Sequence, residues 1–241
     1  MKRRRQDWNI LAIFIFVFAA ILSAFVIIRN HRQSDSISRI DQQFDQKKLR
    51  PLSVADHYRG NITAPVKIII FSDPECQYCK NLHENILPRV VKRYGNAIVI
   101  AYRHMLLPRY QRSLFEAEGI ECAGIVGSEQ AFWRYVDTLY ATTPAEDGLD
   151  PRQIYAIASG IGLDASAFRK CLETHLGLSR INVDRQEALL NDIATAPTLV
   201  VTADHRSPIY LPGSYPGPLY AAIDSMLLRN SIPARGNSED L

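Results

Sequence analysis

Ile10 to Ile28 (ILAIFIFVFAAILSAFVII) is 19 residues long and has Ser23 as its one polar interruption. As a helix rising 1.5 Å per residue, this run nearly matches a bilayer core of ~30 Å. It exceeds the ~7 to 15 residues usual in a secretion signal, and Arg29, Asn30, His31 and Arg32 follow it where a small-residue cleavage site would stand. The pattern therefore favours a retained membrane anchor over a cleaved leader or a buried core helix. Residues 29–55 are mostly polar, with Ile37, Ile40, Phe44 and Leu49 among the few side chains to bury, and read as a linker. Residues 1–9 form a basic segment before the span, and 231–241 form a polar tail.

From about residue 60 the texture becomes regular. Val66 to Phe71 (VKIIIF) is β-branched and nearly continuous, the mark of a strand buried on both faces. Leu82, Ile86, Val90 and Val91 then recur at helical spacing, with Pro88 expected to kink that helix. Ala97 to Ala101 (AIVIA) reads as a second strand, so the segment is a βαβ unit with parallel strands. About eighty residues without a strand-like run follow, with helices expected over 110–127, 129–140, 150–160, 164–175 and 183–191. Asp164 is placed to cap the fourth of these. The end returns to strands at 198–202 and 207–211 and closes on a helix over 218–228. The fold class expected is α/β, ordered βαβ, helical block, ββα, with one domain over 56–230 and the helical block inserted at about 108–191. There is no internal repeat.

Charge alters this picture by its position. The chain carries a formal +3, but residues 1–32 hold six Lys/Arg against Asp7 alone, net +5, leaving 22 basic and 24 acidic residues, net −2, in the remainder. A nucleic-acid binder needs a basic patch on its folded domain, and no such run appears after residue 50, so nucleic acid is not an expected partner. Lys2, Arg3, Arg4 and Arg5 before the span outweigh the two arginines after it, which predicts a cytoplasmic N-terminus and a domain outside the cytoplasm.

Cys76-Gln77-Tyr78-Cys79 follows the first strand and opens the next helix. The free N–H groups of a helix start stabilise a thiolate, and two cysteines one turn apart can close a small disulfide ring. Cys76 is then expected to be the exposed attacking sulfur and Cys79 the more buried partner that resolves a mixed disulfide. The competing reading is half of a metal site, with His83 one turn further on. A tetrahedral site needs four ligands, and Cys122 and Cys171 form no second pair in sequence. The other histidines show no ligand spacing and are expected in surface or capping roles. No cofactor and no metal is called for.

The stretch GNITAPVKIIIFSDPECQYCKNLHENILPRV resembles the opening of the thioredoxin-like domain of the DsbA family of disulfide oxidoreductases, and also the catalytic domain of the DsbC/DsbG isomerases. EAEGIECAGIVGSEQAFWRYVDTLY and GIGLDASAFRKCLET resemble the helical insertion of DsbA-like proteins, which the isomerases lack. The likeness covers about residues 55–230. It implies a thioredoxin-like fold with a helical insertion and a cis-proline facing the cysteines, matched by Ala196-Pro197 before the strand LVV. In that role Ala196 would offer its backbone to an unfolded substrate pairing beside the disulfide.

Gln77 and Tyr78 stand where strong oxidants of the family commonly have Pro and His, and Ala196 stands where Thr or Val is more usual. Glu75 disfavours a second negative charge beside it, while Lys80 pulls the other way. The Cys76 thiol is therefore expected below free cysteine but above the lowest values such sites reach. Cys122 and Cys171 lie in two predicted helices, either as buried free thiols or, given an oxidising compartment and an even count, as a structural disulfide.

The resemblance implies a thiol–disulfide oxidoreductase acting on unfolded or thiol-containing exported proteins from the bacterial inner membrane, with disulfide formation the leading direction. It implies a membrane redox partner of the DsbB or DsbD kind. A reductase or isomerase with specialised clients, and a non-enzymatic copper or zinc module, are the alternatives.

Overall fold

The computed structural model describes residues 49–230. The expected membrane span 10–28, most of the linker and the polar tail lie outside the described residues. Among the described residues no helix is long and apolar enough to cross a membrane.

Five strands form one sheet in the order β1-β3-β2-β4-β5. β2 (Val66–Ser72) and β3 (Ile98–His104) pair in parallel at its centre, with Ile68 opposite Ile100 and Ser72 opposite His104. β4 (Thr198–Ala203) runs antiparallel to β2, and β5 (Ile209–Pro212) antiparallel to β4. β1 (His57–Gly60) closes the other edge against β3. Continuous burial of Ile68, Ile69, Ile70 and Phe71 explains why β2 shows no alternation: each side chain is covered on its own face, at ~1.5–3 kcal/mol apiece. β1 has no such run; it is half-exposed and is held by backbone pairing to β3 and by polar and ring contacts of His57 and Arg59, which its hydrophobic pattern could not announce.

The helix after β2 is interrupted. α1 (Gln77–Asn81) passes through a π-helical turn, Leu82–Ile86, into α2 (Leu87–Tyr94). Pro88 sits in the first turn of α2, so the widened turn just upstream accommodates the ring and the missing N–H.

Between β3 and β4 lie α3 (Ser113–Val126), α4 (Glu129–Thr142), α5 (Gln153–Gly160), α6 (Ala165–Glu173) and α7 (Leu178–Leu190). α7 begins a turn earlier than its apolar pattern suggested, and Ile181 in that turn is fully buried. Asp164 caps α6 by accepting from the Ala167 N–H at 2.7 Å. Cys122 on α3 and Cys171 on α6 are joined by a disulfide. α8 (Pro216–Asn230) closes the described chain.

Two histidines, His57 and His104, depart from their expected surface roles, whereas His175 and His205 are exposed. His104 is buried, with Nε2 2.8 Å from Glu121 Oε1, and His57 stacks on Phe132 at 3.6 Å between Glu121 and Glu129. Burial opposes charge on His57, yet its hydrogen bonds to the two glutamates raise it to about 9. Those partners are distant in sequence, so spacing could not reveal them.

Candidate functional site

β2 ends at Ser72, and the turn Asp73-Pro74-Glu75 delivers the chain to Cys76, the N-cap of α1. The Cys76 N–H donates to Asp73 O at 3.2 Å and the Lys80 N–H to Cys76 O at 3.0 Å, so both sides of the cysteine are pinned. The Ala196–Pro197 bond is cis. The Cys76 thiol lies 3.2 Å from the carbonyl oxygen of Ala196, which brings the loop before β4 against the start of α1.

Both thiols are unbonded to each other and both are buried. This corrects the expectation of an exposed Cys76: the Ala196 carbonyl covers it, and the surface opens beside it rather than over it. The two sulfurs still differ. The Cys79 thiol donates to Cys76, which outweighs burial and, with the backbone N–H groups of Cys79 and Tyr78, lowers Cys76 to about 7; Asp73 pulls the other way. Burial first, then the neighbouring Cys76, pushes Cys79 well above its ordinary value. One sulfur thus ionises near neutral pH while its partner keeps its proton.

Beneath Cys79 lies a belt of polar side chains. Tyr140 Oη is 2.8 Å from Ser72 Oγ and 3.3 Å from Tyr102 Oη, and donates to Asp73 O at 3.2 Å. His83 is buried, stacks on Tyr140 at 4.2 Å and lies 3.4 Å from Ser72 Oγ through Nε2. Burial lowers its basicity to about 3, so it is a neutral part of this belt. Among the described residues no group of three or more His, Cys, Asp or Glu is arranged to hold a metal ion.

Glu75 and Lys80, expected to act on Cys76, are committed elsewhere. Lys80 Nζ donates to Tyr140 O and pairs with Glu84 at 3.2 Å. Glu75 is fully buried, accepts from the Asp147 N–H at 2.7 Å, and hydrogen-bonds Glu116 on α3. Burial and the nearby Glu75 and Asp73 carboxylates raise Glu116 to about 10, so it carries a proton at neutral pH. The segment that grips Glu75 is itself unusual. Ala145, Glu146 and Asp147 all have positive φ, 58–63°, a conformation costing ~1–2 kcal/mol per residue. Their anchors are the bonds Glu146 N–H to Glu75 O at 2.9 Å, Asp147 N–H to Glu75, and Asp147 Oδ1 to the Arg112 N–H at 2.9 Å.

Asp73 escaped the sequence reading although it stands three residues before Cys76 in an Asp-Pro turn. Its buried carboxylate accepts from Leu107 N–H at 2.6 Å, Ser113 Oγ at 2.5 Å and Glu75 N–H at 2.9 Å. Burial raises it despite those donors. Gln77 and Tyr78 are exposed on the first turn of α1, and Tyr78 lines a cleft with Ala196 and Arg109.

Residues 52–207 match the family model described as Thioredoxin. The chain is similar to the crystal structure of Pseudomonas aeruginosa DsbA2, 25% identical, with 77% of this chain and 100% of that one covered at a TM-score of 0.61. BdbD from Bacillus subtilis, in its oxidised form, superposes at a TM-score of 0.65 with 17% identity, covering 74% of this chain and 96% of that one, a likeness of fold. Among curated proteins, the Na(+)/H(+) antiporter NhaA 1 of Mycolicibacterium gilvum is 29% identical over 167 residues, 67% of this chain but 26% of the relative. The chain thus spans about a quarter of the length of the curated relatives it matches, and the transport named there belongs to those proteins.

Proposed function

The chain belongs to the thioredoxin family, and from that premise we propose that it is a thiol–disulfide oxidoreductase that exchanges disulfides with exported proteins through Cys76 and Cys79. The observation that carries this reading is the unequal pair: Cys76 lowered to about 7, Cys79 held protonated, and the Cys76 sulfur 3.2 Å from the Ala196 carbonyl.

In the oxidising direction a client thiolate attacks Cys76 Sγ of the oxidised pair. The Cys76–Cys79 bond breaks, Cys79 takes the electron pair and a proton, and a client–Cys76 disulfide forms. A second client thiolate then attacks the client sulfur and releases Cys76 as a thiolate. The client loses two electrons, and the enzyme gains them together with one proton on Cys79, Cys76 being left as the thiolate. In the reducing direction Cys79 resolves the mixed disulfide. Ala196, placed before Pro197, offers its backbone to the client segment.

The long apolar run at 10–28 and the charge asymmetry around it support tethering to the bacterial inner membrane, with this domain outside the cytoplasm. A quinone-linked partner of the DsbB kind would then reoxidise the pair, or a thiol donor of the DsbD kind would reduce it. Cys76 at about 7 favours keeping the second direction in view, because a less stabilised thiolate makes a less oxidising disulfide.

The test is Cys79→Ala in cells. It should accumulate covalent client adducts that reductant dissolves and that Cys76→Ala abolishes. Full exchange activity in Cys76→Ala would falsify the assignment, and the measured reduction potential separates oxidase from reductase.

A further inference from the structure

Beside Cys76 the surface opens into a cleft of about 450 Å³ whose lining includes Tyr78, Leu107, Arg109, Ala196, Gly213 and Tyr215. Tyr78 and Tyr215 are 61% and 66% exposed, large aromatic surfaces left uncovered at the rim of a reactive site. Arg109 contributes the one charge of that lining. Its guanidinium lies 4.7 Å from the centre of the Tyr110 ring and hydrogen-bonds that side chain, and the acidic group whose charge acts on it is Glu146. The nearest acidic candidate, Glu146, is engaged by the Tyr110 hydroxyl at 2.7 Å. Neighbouring cations are otherwise occupied: Lys80 pairs with Glu84, and Arg112 donates to Leu149 O.

We infer that Arg109 determines specificity in the exchange reaction: the cleft takes the client segment flanking the reacting cysteine, apolar or aromatic side chains lie against Tyr78 and Tyr215, and a client carboxylate pairs with Arg109. This rests on the exchange reading above and names its substrate class, cysteines with an acidic residue close by in sequence. The reach of the effect follows from geometry. An extended segment advances ~3.3 Å per residue and charges are screened over ~8 Å at physiological salt, so a carboxylate must stand within about two or three positions of the cysteine. The bulk of the chain works against such clients, since residues 33–241 carry net −2. Selection is therefore a local property of the cleft, and one arginine carries its sign.

The test uses the full-length oxidised chain in detergent micelles and three synthetic thiol peptides, identical except that Glu, Lys or Gln flanks the cysteine. Each second-order exchange rate is divided by the same peptide's rate with hydroxyethyl disulfide, which removes differences in intrinsic thiol reactivity. The Glu peptide should outpace the Lys peptide by about fivefold, the scale of one partly exposed ion pair, and the preference should fade in ~0.5 M salt. Arg109→Gln should bring the ratio near one, and Arg109→Glu should invert it. A wild-type ratio of one, or a ratio that Arg109→Glu leaves unmoved, overturns the specificity while exchange itself stands. If the chain oxidises none of the three peptides, the exchange reading fails and the specificity falls with it.

Discussion

Arg103, near the end of β3, and Asp73, one residue past the end of the adjacent β2, lie at the same end of the sheet, yet the buried charges around them are settled in different ways. Around Arg103, three guanidinium groups meet three carboxylates. Arg103 bonds Asp56 at 3.1 Å and Glu187 at 2.9 Å, Arg50 reaches Asp184 at 2.6 Å and Glu187 at 3.0 Å, and Arg180 reaches Asp56 at 3.0 Å. Burial would raise Asp56, and the Arg103 charge and hydrogen bond more than offset it. Around Asp73, no cation among the described residues hydrogen-bonds the three buried carboxyl groups Asp73, Glu75 and Glu116; backbone N–H groups, the Ser113 hydroxyl and a shared proton take that place. A charge-balanced cluster is a way to hold a fold together. A cluster that must keep a proton to stay buried stores free energy next to the sulfurs, and such imbalance is where chemistry tends to be found.

The largest way to break this contrast is to remove Arg103. Arg103→Met would leave Asp56 and Glu187 buried without their shared guanidinium, at a cost of about 3–5 kcal/mol in urea unfolding. A cost under about 1 kcal/mol would mean the cluster is not held by its balance. Next comes the covalent tie. Cys122→Ser with Cys171→Ser opens a link across 49 residues and should cost about 2–4 kcal/mol, mainly by freeing the unfolded chain. That loss should be insensitive to pH, unlike the next.

Glu116→Gln tests the unbalanced side. In the folded chain Glu116 holds its proton up to about 10, while unfolded it releases it near the ordinary carboxylate value, so this group makes stability fall as pH rises between roughly 4.5 and 10. His57 adds a second decline. Raised to about 9, its contribution is complete below about 6.5 and is lost as pH rises through 9. The wild type should therefore lose stability steadily from pH 5 to 9. Glu116→Gln, which can still donate to Glu75, should be flat to about pH 6.5 and decline only above it, and should exceed the wild type by at least about 1 kcal/mol at pH 8. Parallel thermal melts across pH decide this; identical slopes would remove Glu116 as the source.

What the chain's pattern disclosed, and what it hid, follows the same division between local and distant. β2, β3 and the Cys76/Cys79 spacing are local, written in a continuous apolar run or in two residues of separation. β1 stayed hidden because an edge strand of His57, Tyr58, Arg59 and Gly60 has no apolar run and is held by backbone pairing to β3 and by side-chain partners distant in sequence. The Asp73, Glu75 and Glu116 cluster needs a turn, a helix and the left-handed segment 145–147 to meet, and no spacing encodes that meeting. The buried histidines failed for the same reason, since His57 finds Glu121 64 residues away. Glu75 stands beside Cys76 in sequence, whereas its side chain turns into the insertion and leaves Asp73 to act on the sulfur.

That last exchange of roles gives the smallest and most pointed prediction. Asp73→Asn keeps the shape and an oxygen for the Leu107 or Ser113 donor while removing the acidic charge that opposes the Cys76 thiolate. The Cys76 value should move below about 7, by less than ~1 unit, because the dominant influence, the hydrogen bond from Cys79, is untouched. Thiolate absorbance of the reduced protein across pH reads the shift, and Glu75→Gln under the same titration should move it less. A more stable thiolate makes a better leaving group, so the reduction potential should rise alongside, by no more than ~30 mV for a one-unit fall. Had Glu75 been the tuning group, the order of the two variants would reverse. An unchanged or rising Cys76 value in Asp73→Asn would instead mean that the carboxylate matters through the loop geometry it holds, because loosening Leu107 and Ser113 would then outweigh the loss of charge.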